Sequence, residues 1–162
     1  MKKYLLFLIS VFVIILDQLT KAIVRDSITL GETIKLTEKF FWLTHVRNYG
    51  AAFSISFGNI TVNKIVFIAV TFIAIILIFF LFKKSNSKIE RTAFALIMGG
   101  AVGNLIDRVM FGYVTDFIWW DFPDFIMQRW PVFNIADSSI VLAITLLILY
   151  SILLSRMNTE VK

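Results

Sequence analysis

Two aspartates, Asp116 in VTDFIWW and Asp137 in FNIADSSI, stand in strongly apolar surroundings. Two close carboxylates sharing one proton can hydrolyse a peptide bond. The ionised one draws a proton from water while the neutral one hydrogen-bonds the scissile carbonyl. Other hydrolytic routes lack their parts. The chain has no cysteine and one histidine, His45, which excludes thiolate nucleophiles, cysteine-ligated zinc and a multi-histidine metal site within one chain. Ser54, Ser138 or Ser139 would need Lys64 or His45 as a base, and no nucleophile elbow surrounds any of them. Carboxylates alone would suit magnesium, but no further ligands cluster beside this pair. No metal and no cofactor is therefore expected. Each aspartate also has a plainer reading. Asp137 precedes an uncharged run, where aspartate is a favoured helix N-cap, and Asp116 could be an interfacial loop residue.

Further polar residues sit where a membrane makes them costly. Asp17 and Lys21 are four apart on one helical face and can pair, either as a salt bridge near a helix end or as part of a site. Gly100, Gly103, Asn104 and Asp107 follow the i, i+3, i+4, i+7 spacing of one face, with Arg108 beside them. The small residues let a neighbouring helix approach, and the polar ones must find partners inside a bundle. GGAVG lacks the preceding strand of a nucleotide fold, so it is read as a packing device. Asp107 and Arg108 could compensate each other, or the arginine could hold a peptide carbonyl or carboxylate.

The elements that must position these residues are apolar runs. The chain has 162 residues, 59% hydrophobic and 17% charged, with 17 phenylalanines, whereas an ordinary soluble domain carries about 25% charge. Spans are expected at about 4–24, 63–82, 92–110 and 137–155, since a hydrocarbon core of about 30 Å takes about 20 helical residues. The first could be a cleavable signal peptide, but no A-x-A-like site follows it, and it is taken as a retained helix. The expectation is an all-α integral membrane protein of one domain, with four transmembrane helices, a small extracytoplasmic sheet and a short interfacial amphipathic segment.

Between the spans lie outer loops at about 25–62 and 111–136. FSISF alternates like a strand, FFWLTHVR is a second candidate strand, and NYG between them reads as a turn. The segment 118–132, with WWDFPDFIMQRW, reads as an aromatic belt or as an amphipathic piece lying over the site. The net charge of +5 does not imply nucleic acid, because the basic residues are scattered or flank apolar runs. Lys2, Lys3, Lys83, Lys84, Lys88, Arg91, Arg156 and Lys162 crowd into short segments beside the spans. Both termini are accordingly expected in the cytoplasm.

In these motifs the chain resembles the bacterial prolipoprotein signal peptidases, the type II signal peptidases, over nearly its whole length. DQLTK (Asp17 to Lys21) looks like the first-helix box, RNYGAAF (Arg47 to Phe53) the outer-sheet box and GGAVGNLIDR (Gly99 to Arg108) the third-helix box. VTDFI and FNIAD match the boxes that carry the catalytic aspartates. The resemblance implies an aspartic endopeptidase of the bacterial cytoplasmic membrane, with its site near the outer face. It implies that Asp116 and Asp137 are the catalytic pair and that Asn48, Asn104, Arg108 and Asn134 orient the substrate backbone. Asp17, Lys21, Gly50 and Asp107 match supporting positions. The implied substrate is a diacylglyceryl-modified prolipoprotein, cut just before its lipid-bearing cysteine. Membrane lipids are the other expected partners, and a monomer is expected. Asp121 and Asp124 fall outside the matching boxes and are left out of the site. The rival reading is a non-enzymatic proton or ion pathway through Asp17, Asp107, Asp116 and Asp137. It would need acidic residues spread through the membrane's depth, and the 65–82 run has none.

Overall fold

A computed structural model describes residues 2–38, 40–50, 59–120 and 131–160. After a 3-10 turn at Lys2–Leu6 come helix α1 (Phe7–Ser27), strands β1 (Thr33–Lys35) and β2 (Phe41–Asn48), and helices α2 (Ile60–Lys84) and α3 (Lys88–Phe111). Strand β3 (Val114–Trp120) and helix α4 (Ile135–Glu160) complete the order. Four helical stretches, of 24, 25, 24 and 23 residues, are long and apolar enough to cross a membrane. At 1.5 Å per residue each exceeds a hydrocarbon core of about 30 Å.

Local chemistry sets the helix ends. Asn59 caps α2, its side chain accepting from the N–H groups of Thr61 at 2.8 Å and Val62 at 3.3 Å. Lys83 and Lys84 lie in the last turn of α2, where cations suit the helix dipole. Ser87 caps α3 by accepting from Glu90 N–H at 3.4 Å. At the far end of α3, Gly112 adopts φ +80°, a left-handed conformation favouring glycine, and its N–H closes on Arg108 O at 3.1 Å.

Helix α3 is the hub. It packs against α1, α2 and α4, while α2 packs mainly along α3. A Cβ on Gly100 would collide with the carbonyl oxygen of Ala136 and fall 2.6 Å from Ser139 Oγ, so α4 crosses at a distance only glycine permits. Ser10 Oγ on α1 donates to Ala95 O on α3 at 2.6 Å. The bundle is inverted relative to a soluble one. Of the largest fully buried side chains among the described residues, Lys21, Asn134, Thr115, Asp17 and Asp107 are polar and only Phe82 is apolar, whereas α1, α2 and α4 expose rows of Leu, Ile, Val and Phe. Lipid solvates those rows, so the interior is left to the polar groups that lipid cannot satisfy.

The strands form one antiparallel sheet in the order β1-β2-β3. Strand β2 lies between α1 and α2, and β3 between α3 and α4. Their pairing draws both interhelical connections together at one end of the bundle. Leu43 pairs with Ile118 and Val46 with Asp116, so β2 carries an extra residue between them, a bulge that re-aims the strand. On the other edge of β3, Phe133 exchanges backbone hydrogen bonds with Ile118 at 2.8 and 3.0 Å.

The expected four helices and small sheet are present, and the strand expected in FFWLTHVR is there as β2. Its partners are β1 and β3, and FSISF, expected to pair with it, lies outside the described residues. VTDFI, expected in a loop, is a buried strand, because its backbone ladder with β2 is completed by Phe133. Residues 118–120 of the expected amphipathic segment end this strand, and 121–130 lie outside the described residues.

Candidate active site

Asp116 lies on β3 opposite Val46. Asn48, two residues beyond Val46 on the same face, is the diagonal neighbour within reach. Its Nδ2 donates to Asp116 Oδ2 at 2.9 Å, while its Oδ1 accepts Gly50 N–H at 3.0 Å in an Asx turn. Asp137 arrives from α4, and its position there departs from expectation. The residue capping α4 is Asn134, whose Oδ1 accepts Asp137 N–H at 2.9 Å, and Asp137 Oδ2 accepts Asn134 N–H in return at 3.2 Å. This is a reciprocal capping box with Asp137 at the third helical position, so Asp137 is not the N-cap.

Asn134 therefore touches both carboxylates. Its Nδ2 donates to Asp116 Oδ1 at 2.6 Å, and lies 3.2 Å from Asn104 Oδ1 and 3.4 Å from Thr115 O. Asn104, from α3, donates its Nδ2 to Asp137 Oδ1 at 2.8 Å. Three asparagine amides thus aim N–H groups at the aspartates, and in each the amide's orientation is fixed from behind. Gly50 N–H and Asp137 N–H can only donate, as can the Lys21 ammonium 2.8 Å from Asn104 Oδ1. Each forces the amide oxygen toward itself and the NH2 group toward a carboxylate.

Behind this layer lies an ionic one. Lys21, fully buried, pairs with Asp17 Oδ2 at 2.9 Å and Asp107 Oδ2 at 3.4 Å and donates to Asn104 Oδ1 at 2.8 Å. Asp17 Oδ1 accepts Ala136 N–H at 2.9 Å, satisfying another free amide at the start of α4. Asp107 also faces Arg25 at 3.5 Å, so its direct ion-pair partners among the described residues are Lys21 and Arg25. Arg108 points elsewhere: its Nη2 donates to Gly50 O at 3.2 Å, and its guanidinium lies 5.4 Å from the centre of the Phe67 ring. Gly50 is thus gripped at its N–H by β2 and at its carbonyl by α3.

The sequence-derived residues Asp17, Lys21, Asn48, Gly50, Asn104, Asp107, Arg108, Asp116, Asn134 and Asp137 form one connected set around the aspartates. Gln18, Arg25 and Thr115 also belong to it and were not foreseen. Gln18 Nε2 donates to Gly103 O at 3.0 Å and to Asp17 Oδ2 at 3.1 Å. Arg25 falls one helical step beyond the Asp17, Lys21 spacing, which is the signal that could have found it. Thr115 had none, since its role depends on tertiary pairing.

The electrostatics suit acid-base work. Burial pushes the Asp116 carboxyl from an ordinary 3.8 up to about 7, and the nearby Asp137 charge pushes the same way, outweighing the amides of Asn48 and Asn134 and the Lys21 charge. A carboxyl that holds its proton near neutrality, with an acidic neighbour, can donate a hydrogen bond while that neighbour acts as base. Among the described residues no group of three or more His, Cys, Asp or Glu converges on a point where a metal ion could sit.

The chain is similar to known proteins along most of its length. A family model described as signal peptidase (SPase) II matches residues 9–153. A lipoprotein signal peptidase of Halothermothrix orenii is 41% identical over 147 residues, 90% of this chain and 94% of that one. One of Clostridium tetani is 40% identical over 147 residues, covering 90% of each. A bacterial membrane enzyme structure obtained by the in meso method at 2.3 Å superposes with a TM-score of 0.79 at 37% identity, covering 91% of this chain and 87% of that one.

Proposed function

The chain belongs to the signal peptidase II family and is a peptidase of the aspartic type, and from that premise we propose that it removes signal peptides from diacylglyceryl-modified prolipoproteins, cutting just before the lipid-bearing cysteine. The observation that carries the reading is the double role of Asn134, which binds Asp116 through its side chain and Asp137 through its backbone N–H. One residue thereby fixes two carboxylates with respect to each other.

In this reading Asp116 and Asp137 are the catalytic pair and share a proton. The ionised carboxylate takes a proton from water as the oxygen attacks the peptide carbonyl. The neutral carboxyl hydrogen-bonds the carbonyl oxygen and stabilises the charge developing there. Collapse of the tetrahedral species returns a proton to the departing amine and breaks the C–N bond. Asn48, Asn104 and Asn134 hold the pair in geometry, and Arg108, anchored on Gly50, orients the substrate backbone. Asp17, Lys21 and Asp107 support them.

The lipid explains the location. Acyl chains on the substrate remain in the bilayer, so carboxylates and water must be brought to the depth at which the modified cysteine sits. The exposed apolar rows of the helices are compatible with neighbouring acyl chains, and their binding energy would position the peptide. The protein fits a multi-pass bacterial inner-membrane enzyme. Its termini would be cytoplasmic and its site near the outer face, following the crowding of Lys and Arg beside the termini and the α2–α3 connection.

Cleavage of a prolipoprotein with and without its diacylglyceryl group, by the purified full chain, tests the substrate. Turnover should require the lipid, and comparable rates on both forms would remove the assigned substrate class. Reporter fusions after Gly58 and Ser87 should report opposite compartments. The same compartment for both would overturn the orientation.

A further inference from the structure

The residue immediately before Asp116 is held at every polar atom, each time by a different element. Thr115 is fully buried. Its N–H donates to Asp107 Oδ2 of α3 at 2.8 Å, and its hydroxyl accepts from Arg25 Nη1 of α1 at 3.0 Å. Its carbonyl accepts from Nδ2 of Asn134, the cap of α4, at 3.4 Å. An ordinary strand residue would leave its side chain out of such a scheme.

Arg25 is the outermost part of this arrangement and is suited to it. It lies in the last turn of α1, and its guanidinium stacks over Phe111, at the end of α3, with 4.5 Å to the ring centre. The same Nη1 faces Asp107 Oδ1 at 3.5 Å. A planar cation seated on a ring can present fixed N–H directions to a carboxylate and a hydroxyl together, which a flexible ammonium does poorly. Asp107 takes the Thr115 N–H on one oxygen and faces Arg25 with the other. Arg25, Asp107 and Thr115 therefore close a triangle between the ends of α1 and α3 and the start of β3.

We infer that Arg25 and Thr115 are positioning residues for Asp116, setting the depth at which β3 presents its carboxylate to Asn48, Asn134 and Asp137. The inference rests on the reading of Asp116 as catalytic. The mechanism is geometric. Asp116 follows Thr115 in the chain, and its oxygens meet two amides at 2.6 and 2.9 Å. A small displacement of the strand lengthens both contacts, and misplacing a catalytic group by about 1 Å can cost about a hundredfold in rate. Thr115 is fully buried and Arg25 is turned onto Phe111, Asp107 and the Thr115 hydroxyl, so a positioning role predicts that loss appears in kcat and leaves KM nearly unchanged.

The test uses the full chain and a lipidated prolipoprotein, with kcat and KM measured separately and the folded fraction measured for each variant. Thr115→Val, which keeps the shape and removes the hydroxyl, should lower kcat about tenfold with KM within about twofold of wild type. Thr115→Ser should recover most of that loss. Arg25→Gln should lower kcat similarly, with Arg25→Lys falling between. The double variant Arg25→Gln/Thr115→Val should be no worse than the poorer single one, because both remove the same contact. Losses that only track the folded fraction, or that add fully in the double variant, overturn the inference while leaving the proposed function standing. A wild-type chain that does not cleave the lipidated substrate overturns both.

Discussion

Lys21 Nζ donates to Asn104 Oδ1 across 2.8 Å, and this contact decides which end of the Asn104 amide faces Asp137. A cation on α1 thus sets the hydrogen bonding of a carboxylate on α4 through an amide on α3. Lys21→Met keeps the length and removes the charge. Asp107 is then left with Arg25 at 3.5 Å, Asp17 loses its ion pair with Lys21, and breaking a buried pair in this way costs about 3–5 kcal/mol. Thermal unfolding in detergent should show a large drop. Turnover per folded molecule should fall as well, since only the longer 3.2 Å contact from Asn134 Nδ2 is left to hold the Asn104 amide oxygen. An unchanged melting temperature would mean the buried network contributes little.

Asp116→Asn and Asp137→Asn should each abolish cleavage. Both oxygens of each aspartate accept N–H donors, from Asn48 and Asn134 for Asp116 and from Asn104 and Asn134 for Asp137. An asparagine offers one acceptor, so its NH2 must face another donor, at a cost of about 1–3 kcal/mol. The folded remainder should still be inactive, because one carboxyl cannot act as acid and base together. The double variant should be no worse than either single one. Turnover by folded Asp137→Asn would leave Asp137 as a capping-box residue and nothing more.

The Asp116 carboxyl, raised from 3.8 to about 7, predicts a pH dependence with a definite sign. A carboxyl with a raised folded-state value favours the folded state while protonated. Its contribution is fully present below about 4 and is lost as pH rises through about 7. The melting temperature should therefore decline over that interval, and Asp116→Asn should flatten the decline. Cleavage should fall on the alkaline side as the shared proton is lost, in a bell whose limbs belong to the pair. Asn48→Ala removes an amide that favours the ionised form, so the alkaline limb should move to higher pH. A limb that stays in place would sever Asn48 from the titration.

Gly103→Ala should destabilise the bundle although alanine is the better helix former. A Cβ there would stand 2.6 Å from Asp17 Oδ2, and Asp17 is held by Lys21 and by Ala136 N–H. Forcing an extra methyl into a packed site costs about 1–3 kcal/mol. Equilibrium unfolding measures it, and a neutral or stabilised variant would show that Asp17 can yield.

Arg108→Lys should reduce cleavage while preserving the fold. The guanidinium combines a hydrogen bond to Gly50 O at 3.2 Å with a place over the Phe67 ring, and an ammonium is a point charge that does not reproduce that plane. Full activity in a folded variant would return Arg108 to a structural role.

The apolar runs made the helices legible, and the α3 face of Gly100, Gly103, Asn104 and Asp107 was legible from helical spacing alone. These are local periodicities, which a sequence displays. Strand β3 was not legible, because Val114 to Phe117 are buried consecutively and show no alternation. Strand β1 is three exposed residues, too short to carry a pattern. The cap of α4 was not legible for a related reason. Asn134 and Asp137 are both good caps, and which one is the cap depends on where Phe133 leaves its pairing with Ile118. Thr115 escaped because its side-chain and backbone partners all lie outside its own strand, whereas Arg25 continued the Asp17, Lys21 spacing and could have been found.

The hub position of α3 divides the chain by how freely it can drift. Most side chains of α2 face outward, and a hydrocarbon surrounding does not distinguish leucine from isoleucine, valine or phenylalanine. Shuffling those residues among themselves along α2 should pass unnoticed. On α3 even one added methyl meets a carbonyl or a carboxylate from another helix. Tolerance to substitution should therefore be narrowest along the inward stripe of α3, and two variants could lose nearly all likeness in α2 while remaining superposable through α3.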